Sequence, residues 1–290
     1  MFKRVLVPTD FTDEADLVIE YVAGLREHGV EEVVLVHVVD IGRSTAWPIS
    51  PKIIEVIEEK LGDRQQRLSE AGFTVFPRIL EGVPSTEVLR AAEDEECSLI
   101  VTGSHGKLPV EEMYFGSVSE AVTRHSEVPV LLLRYSILSD LGAAGKLKDY
   151  AEATFSKILF PTDFTEVSEA AMDELKELSE VGPGEVVTLH VVDTKRSETE
   201  TENREQLDKC YIDCGRIAEQ FRRREMRATT LCELGDPVEE ILGAAEEEGA
   251  TIIVMGSHGR GMVSEWLDGS VSLSVLRRGD RPLMVIRRAA

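Results

Sequence analysis

Short, nearly unbroken apolar runs alternate along this chain with longer stretches in which apolar and charged residues recur at helical spacing. Arg4-Val5-Leu6-Val7 and Val33-Val34-Leu35-Val36 are runs of the first kind. They are too continuous for strands with one wet face and suit a parallel sheet covered on both sides. Between them lies a segment of helix length. It opens with Phe11-Thr12-Asp13-Glu14, a threonine followed by two acids, and Gly29 can close it. The same reading predicts a helix over 51–71, a strand over 73–79, a helix over 85–94, a strand over 99–101, a helix from near Gly116 and a last strand over 128–133. Strands alternating with helices imply right-handed crossovers and a parallel sheet.

The pattern then begins again. Pro8-Thr9-Asp10-Phe11-Thr12 recurs as Pro161-Thr162-Asp163-Phe164-Thr165, and His37-Val38-Val39-Asp40 as His190-Val191-Val192-Asp193. Gly103, Gly116 and Pro129 return with the same spacing as Gly256, Gly269 and Pro282. A repeat of this length is a whole domain written twice. The expected fold is α/β: two tandem doubly wound, parallel five-stranded sheets with helices on both faces, a Rossmann-like arrangement. The first domain is expected over 1–137, a linker containing Gly142-Ala143-Ala144-Gly145 over 138–154, and the second domain over 155–290.

Composition narrows the chemistry. The 290 residues are 42% hydrophobic and 30% charged, ordinary for a globular chain, and the apolar runs fall short of a membrane span. MFKRVLVPTDF lacks the apolar region and cleavage site of a signal peptide, so a cytoplasmic protein is expected. The formal charge of -22 argues against nucleic acid as partner, since phosphate backbones are bound by clustered Lys and Arg. Arg222-Arg223-Arg224 reads as a solvated helix face. Four cysteines are too few for a disulfide framework, and Cys210 and Cys214, four apart on a predicted helix, read as packing.

In an open parallel sheet, ligands bind beyond the carboxyl ends of the strands where the strand order reverses. Pro8-Thr9-Asp10, His37-Val38-Val39-Asp40 and Gly103-Ser104-His105-Gly106 all follow or end strands at that edge. A glycine-bearing loop followed by a helix start at Gly116-Ser117 offers backbone N–H donors to an anion. The chain has no G-x-x-x-x-G-K-[ST] and no G-x-G-x-x-G after its first strand, which argues against a P-loop NTPase and a dehydrogenase. Asp10 and Asp163 suit either ribose hydroxyls or a helix-capping role in a strand-to-helix turn. His37, His190, His105 and His258 read as structural. Glu111, Glu112, Glu265 and Asp268 read as solvated charge, so no catalytic or metal-binding residue is assigned.

At these residues the chain resembles the universal stress protein family, in its tandem-domain, nucleotide-binding branch. The signature G-x2-G-x9-G-[ST] is matched by Gly103, Gly106, Gly116 and Ser117, and again by Gly256, Gly259, Gly269 and Ser270. The resemblance implies ATP or AMP in each half, with Mg2+ accompanying ATP. It places Pro8, Thr9, Asp10, Val38, Thr102 and Gly103 around adenosine, and Gly106, Gly116, Ser117 and Val118 on the phosphates. In the second half the same roles fall to Pro161, Thr162, Asp163, Val191, Met255, Gly256, Gly259, Gly269, Ser270 and Val271. It also implies pairing of the two halves through strands 128–133 and 282–286, and a homodimer. Asp268, directly before Gly269, sets a negative charge beside the second phosphate site and favours AMP there. The expected role is a stress-response sensor or regulator; a slow ATPase and a ligand-free structural dimerisation module are the alternatives.

Overall fold

The computed structural model describes residues 2–42, 50–104, 116–177, 184–195, 199–256 and 271–287. The chain divides into two compact units, Met1–Glu152 and Ala153–Ala290.

In the first unit the strands are β1 (Arg4–Pro8), β2 (Glu32–Asp40), β3 (Thr74–Gly82), β4 (Leu99–Ser104) and β5 (Val130–Arg134). They form a parallel sheet in the order β3-β2-β1-β4-β5. Val5, Leu6 and Val7 are all fully buried. Successive strand residues face opposite sides, so both faces are covered. Each such side chain contributes about 1.5–3 kcal/mol relative to exposure.

The helices α1 (Asp13–Gly24), α2 (Pro51–Glu70), α3 (Pro84–Asp94) and α4 (Ser117–His125) link the strands in turn. Thr12 caps α1, its hydroxyl accepting from the Ala15 N–H at 3.2 Å, as the threonine before two acids predicts. Pro84 opens α3, where proline's missing donor costs nothing. Strand β3 runs three residues beyond the predicted 73–79, because its pairing with β2 continues to Asp40 and Gly82.

The second unit repeats this plan. Its strands are β6 (Lys157–Pro161), β7 (Glu185–Asp193), β8 (Arg227–Gly235), β9 (Ile252–Gly256) and β10 (Leu283–Ile286), in the order β8-β7-β6-β9-β10. Its helices are α7 (Glu166–Glu177), α8 (Glu200–Arg222), α9 (Pro237–Glu247) and α10 (Val271–Arg278). A capping box between Thr199 and Glu202 starts α8, and Asp236 caps α9. Among the described residues no helix is long and apolar enough to cross a membrane.

Each sheet carries at its amino end its own ion cluster that sequence reading overlooks. Arg4 pairs with Glu32 on β2, at 2.9 Å, and with Glu95 after α3. Lys157 pairs with Glu185 at 3.2 Å and Glu248 at 2.9 Å, residues in the same relative positions. These half-exposed pairs contribute little individually. Their effect is to tie the first strand, the second strand and the third helix's end at the edge opposite the crevice.

Two expectations need correction. Residues expected from 138 onward as a linker form most of α5 (Tyr135–Ala143) and all of α6 (Leu147–Glu152), both of which touch α1. Leu138, Leu147 and Ala151 are buried there, so the glycine–alanine stretch turns between packed helices. Cys210, read as simple packing, is bonded to Cys232 on β8. The spacing of Cys210 and Cys214 directs attention along the helix, whereas the partner lies across it on a strand. Cys97 and Cys214 remain free and buried.

Gly24 marks how tightly α6 sits on α1: a Cβ there would lie 2.5 Å from the Ala151 Cβ. Gly24→Val is expected to cost about 1–3 kcal/mol through overpacking. Denaturant unfolding followed by hydrogen exchange should locate that loss in the first unit and leave peptides of the second unit unchanged.

Candidate functional site

Within each unit the strand order reverses beside the first strand: β2 and β3 lie on one side of β1, and β4 and β5 on the other. Connections leaving such a point in opposite directions open a crevice at the carboxyl ends. Register decides what lines it. Leu6 stands beside Ile100, and the same register continued brings Thr9 level with Gly103. Pro8 pairs with Val36, which carries Asp10 level with Val38. In the second unit Leu159 stands beside Ile253 and Pro161 beside Leu189, so Thr162 comes level with Gly256 and Asp163 with Val191. Pro8, Thr9, Asp10, Val38, Thr102 and Gly103 therefore share one sheet edge. Pro161, Thr162, Asp163, Val191, Met255 and Gly256 share its counterpart.

The turn after the first strand is held from several directions. The Thr9 N–H donates to the Val36 carbonyl at 2.8 Å, and the Thr9 hydroxyl accepts from the Phe11 N–H at 3.2 Å. Asp10 Oδ1 accepts from the Thr12 N–H at 3.1 Å and from its hydroxyl at 2.6 Å. Phe11 sits at φ 67°, a left-handed conformation that a bulky residue keeps only where its surroundings impose it. Its ring stacks on His37 with centroids 4.2 Å apart. His37 Nδ1 lies 2.8 Å from the Thr9 carbonyl; a carbonyl only accepts, so Nδ1 carries the proton. The second unit copies each part. Phe164 has φ 60°, its ring lies 4.6 Å from that of His190, and His190 Nδ1 donates to the Thr162 carbonyl at 2.7 Å. Asp163 Oδ1 accepts from the Thr165 N–H and hydroxyl at 3.1 and 2.7 Å.

The aspartates brace the turn through the following threonine, and in the first unit it is Thr12, not Asp10, that caps the helix. The Asp10 side chain is exposed at the crevice, so turn-building through Oδ1 leaves the carboxylate within reach of a ligand. His37 and His190 are structural, as expected.

Packing gives Gly103 a reason of its own. The space it leaves is taken by Tyr135, the first residue of α5: a Cβ at 103 would lie 2.1 Å from Tyr135 Cε1. Asp10 and Glu14 are near enough to act on the phenol, whose pKa is raised first by burial and then by those two carboxylates. Tyr135 belongs to no motif, and sequence reading passes over it.

Thr102 is held beside the start of α4. Its buried hydroxyl lies 3.1 Å from Ser119 Oγ, which donates to the Gly103 carbonyl at 2.6 Å. Ser272 makes the corresponding, longer contact to the Gly256 carbonyl at 3.5 Å. These serines fasten a helix start to a strand end. The repeated Ser-Val-Ser after Gly116 and Gly269 was the available signal.

Gly116 is the N-cap of α4 with φ -57°, and Ser117 is the exposed first residue of that helix, followed by half-buried Val118. No side chain caps α4, and the first turn of a helix holds N–H groups without intrahelical partners. Val271 begins α10. Gly106, Gly259, Gly269 and Ser270 lie outside the described residues, as do His105, His258, Glu111, Glu112, Glu265 and Asp268.

The helices beside the two turns carry different side chains. On α2 the Arg64 guanidinium lies 5.0 Å from the centre of the Phe11 ring and pairs with Asp16 at 2.7 Å, and the Lys60 ammonium lies 5.4 Å from the same ring. At the matching places the second unit has Asp213 and Ile217.

The profile of the universal stress protein family matches residues 1–134 and 154–287, once per unit. A universal stress protein of Methanocaldococcus jannaschii is 31% identical over 155 residues, covering 46% of this chain and 96% of that protein. A universal stress protein of Mycolicibacterium smegmatis is 23% identical over 301 residues, covering 98% of this chain and 96% of that one. Among solved structures, a universal stress protein from Archaeoglobus fulgidus aligns over 100% of both chains with a TM-score of 0.78 and 26% identity.

Burial lowers the pKa of His37, with Lys60 and Arg64 adding to the effect against the Thr9 carbonyl and Asp10, and burial lowers that of His28 on the same unit. A histidine whose folded pKa lies below its ordinary value binds its proton sooner in the unfolded chain. The stability it contributes is present above 6.5 and lost as pH falls through the folded value. Unfolding of the first unit, measured between pH 8 and 5, should become easier below about 6.5, and His37→Gln should remove part of that slope, leaving the share due to His28.

Proposed function

We propose that this chain, which belongs to the universal stress protein family, binds one adenine nucleotide in each unit and acts as a sensor or regulator rather than a fast catalyst. The observation that carries this reading is the duplicated crevice. In both units a strained Thr-Asp-Phe turn, a valine at the end of the second strand and a glycine at the end of the fourth come level at the switch point. Valine offers an apolar wall for a flat base, aspartate accepts from ribose hydroxyls, and the start of α4 or α10 offers amide donors to phosphate.

Charge separates the two units. Lys60 attracts the larger negative charge of ATP, with Mg2+ as its companion, to the first. Asp213 in its place, together with Asp268, turns the second toward AMP. The residues assigned to the two sites supply no lysine of the P-loop kind and no acid–base pair, so phosphate release should fall far below about 1 per second. A regulatory effect requires that nucleotide favour one conformational or assembly state over another.

The test is the small-molecule content of the freshly purified protein, quantified per chain by mass spectrometry, followed by titration with ATP and AMP in the presence of Mg2+. Two nucleotides per chain are expected, with the triphosphate in the first unit. Asp10→Ala and Asp163→Ala should each weaken one of the two sites tenfold or more, since a hydrogen bond to a charged group contributes about 1.5–3 kcal/mol. A protein that carries no adenine nucleotide and binds neither on titration would refute the reading.

A further inference from the structure

Three cysteines of the second unit meet behind its crevice. Cys210 and Cys214 lie one turn apart on α8 and Cys232 lies on β8; their sulfurs are all within 4.8 Å of one another and all three residues are buried. Cys210 and Cys232 are bonded, and Cys214 Sγ stands 3.9 Å from Cys210 Sγ. The first unit has Ile57, Leu61 and Ile79 at the three corresponding positions. Filling this part of the core therefore needs no sulfur, and three thiols in place of three aliphatic side chains add chemistry.

The cluster is in contact with the turn that shapes the crevice. Cys232 is the register partner of His190, Cys210 Sγ lies 4.0 Å from the His190 carbonyl oxygen, and Phe164 packs on the three cysteines. His190 in turn holds the Thr162 carbonyl and sits against the Phe164 ring.

We propose that Cys210 and Cys232 form a redox-active thiol–disulfide site, with a small dithiol as co-substrate, whose state controls ligand binding in the second unit alone. The bond between Cys210 and Cys232 fastens α8 to β8 directly behind His190 and Phe164. Cys232, 7% exposed on the outermost strand of its unit's sheet, is the more reachable sulfur. A thiolate of the dithiol attacks Cys232 Sγ, and the Cys210 sulfur leaves with the electron pair and takes up a proton. The second thiol then closes on the mixed disulfide and frees Cys232 as a thiol. Two electrons and two protons pass to the protein, and the dithiol becomes a cyclic disulfide. Burial pushes the Cys214 thiol up to about 12, which keeps it protonated and prevents it from exchanging into the bridge. Metal binding is less suited to the cluster: three thiolates would have to ionise among Phe164 and Leu207, whereas disulfide and thiols are neutral in both states.

The nucleotide part of this proposal rests on the function proposed above, so the experiment has one arm without nucleotide. The full chain is oxidised with diamide, and half is then reduced with dithiothreitol while folded. N-ethylmaleimide labelling under denaturing conditions should count two thiols before reduction and four after it. Hydrogen exchange of the 161–165 peptide should be faster in the reduced protein, with 8–12 in the first unit unchanged. In the second arm AMP binding to the second unit, read in the Asp10→Ala protein, should weaken about tenfold on reduction and recover on reoxidation. Replacing the three residues by those of the first unit, Cys210→Ile, Cys214→Leu and Cys232→Ile, should keep the fold and abolish the response. An unchanged label count, or equal exchange at 161–165 in both states, overturns the proposal. So does one zinc ion per chain retained by a reduced protein that forms no bridge on oxidation. A change in exchange with no nucleotide bound in either state would leave the redox site standing and remove only its link to nucleotide.

Discussion

A histidine at the end of the second strand reaches back to the carbonyl that follows the first strand, at 2.8 Å in one unit and 2.7 Å in the other. This bond holds a turn that would otherwise relax. The next phenylalanine is left-handed in both copies, a conformation costing on the order of 1–3 kcal/mol, and the same imidazole supplies the surface on which its ring rests. Once the turn is fixed, the aspartate can bind the following threonine and that threonine can start the helix. The carboxyl edge of the sheet then presents an acidic side chain, an apolar side chain and a glycine at one level. Fold and crevice thus depend on one set of contacts.

The duplication shows which parts of that arrangement tolerate change. Backbone-setting residues are kept: the turn, the histidine, the serine that anchors the fourth strand's end, and the cation with two carboxylates at the opposite edge. Residues that set chemistry have been rewritten. Lys60 and Arg64 give way to Asp213 and Ile217, and Ile57, Leu61 and Ile79 give way to three cysteines. A parallel sheet buried on both faces permits this separation, because the strands fix the geometry while α2 and α8 bring different side chains to its edge. The two units are one scaffold with two electrostatic and redox environments.

The helices after the fifth strand add a feature to the first unit. Tyr135 lies on Gly103, and α6 closes on α1 so tightly that Gly24 has no room for a methyl group. The family match stops at 134 and resumes at 154, so this addition lies outside the shared fold. It nevertheless reaches the carboxyl edge of β4, where Tyr135 comes near enough to Asp10 for that charge to act on its phenol.

Local pattern alone determined the strands, the order of elements, the repeat and the turn residues, because each depends on spacing along the chain. Apolar runs of strand length, a threonine before two acids and two copies of Pro-Thr-Asp-Phe-Thr carry their meaning within a few residues. Tertiary structure decided whatever depends on residues meeting from distant places. The Cys210–Cys232 bond, the Tyr135 ring over Gly103, the Arg4–Glu32–Glu95 cluster and the burial of Thr102 against Ser119 each join side chains from different elements. The same limit hid the packing of α5 and α6, since a stretch of Gly and Ala reads as loose chain while Leu138, Leu147 and Ala151 on either side of it are buried only by a neighbouring helix.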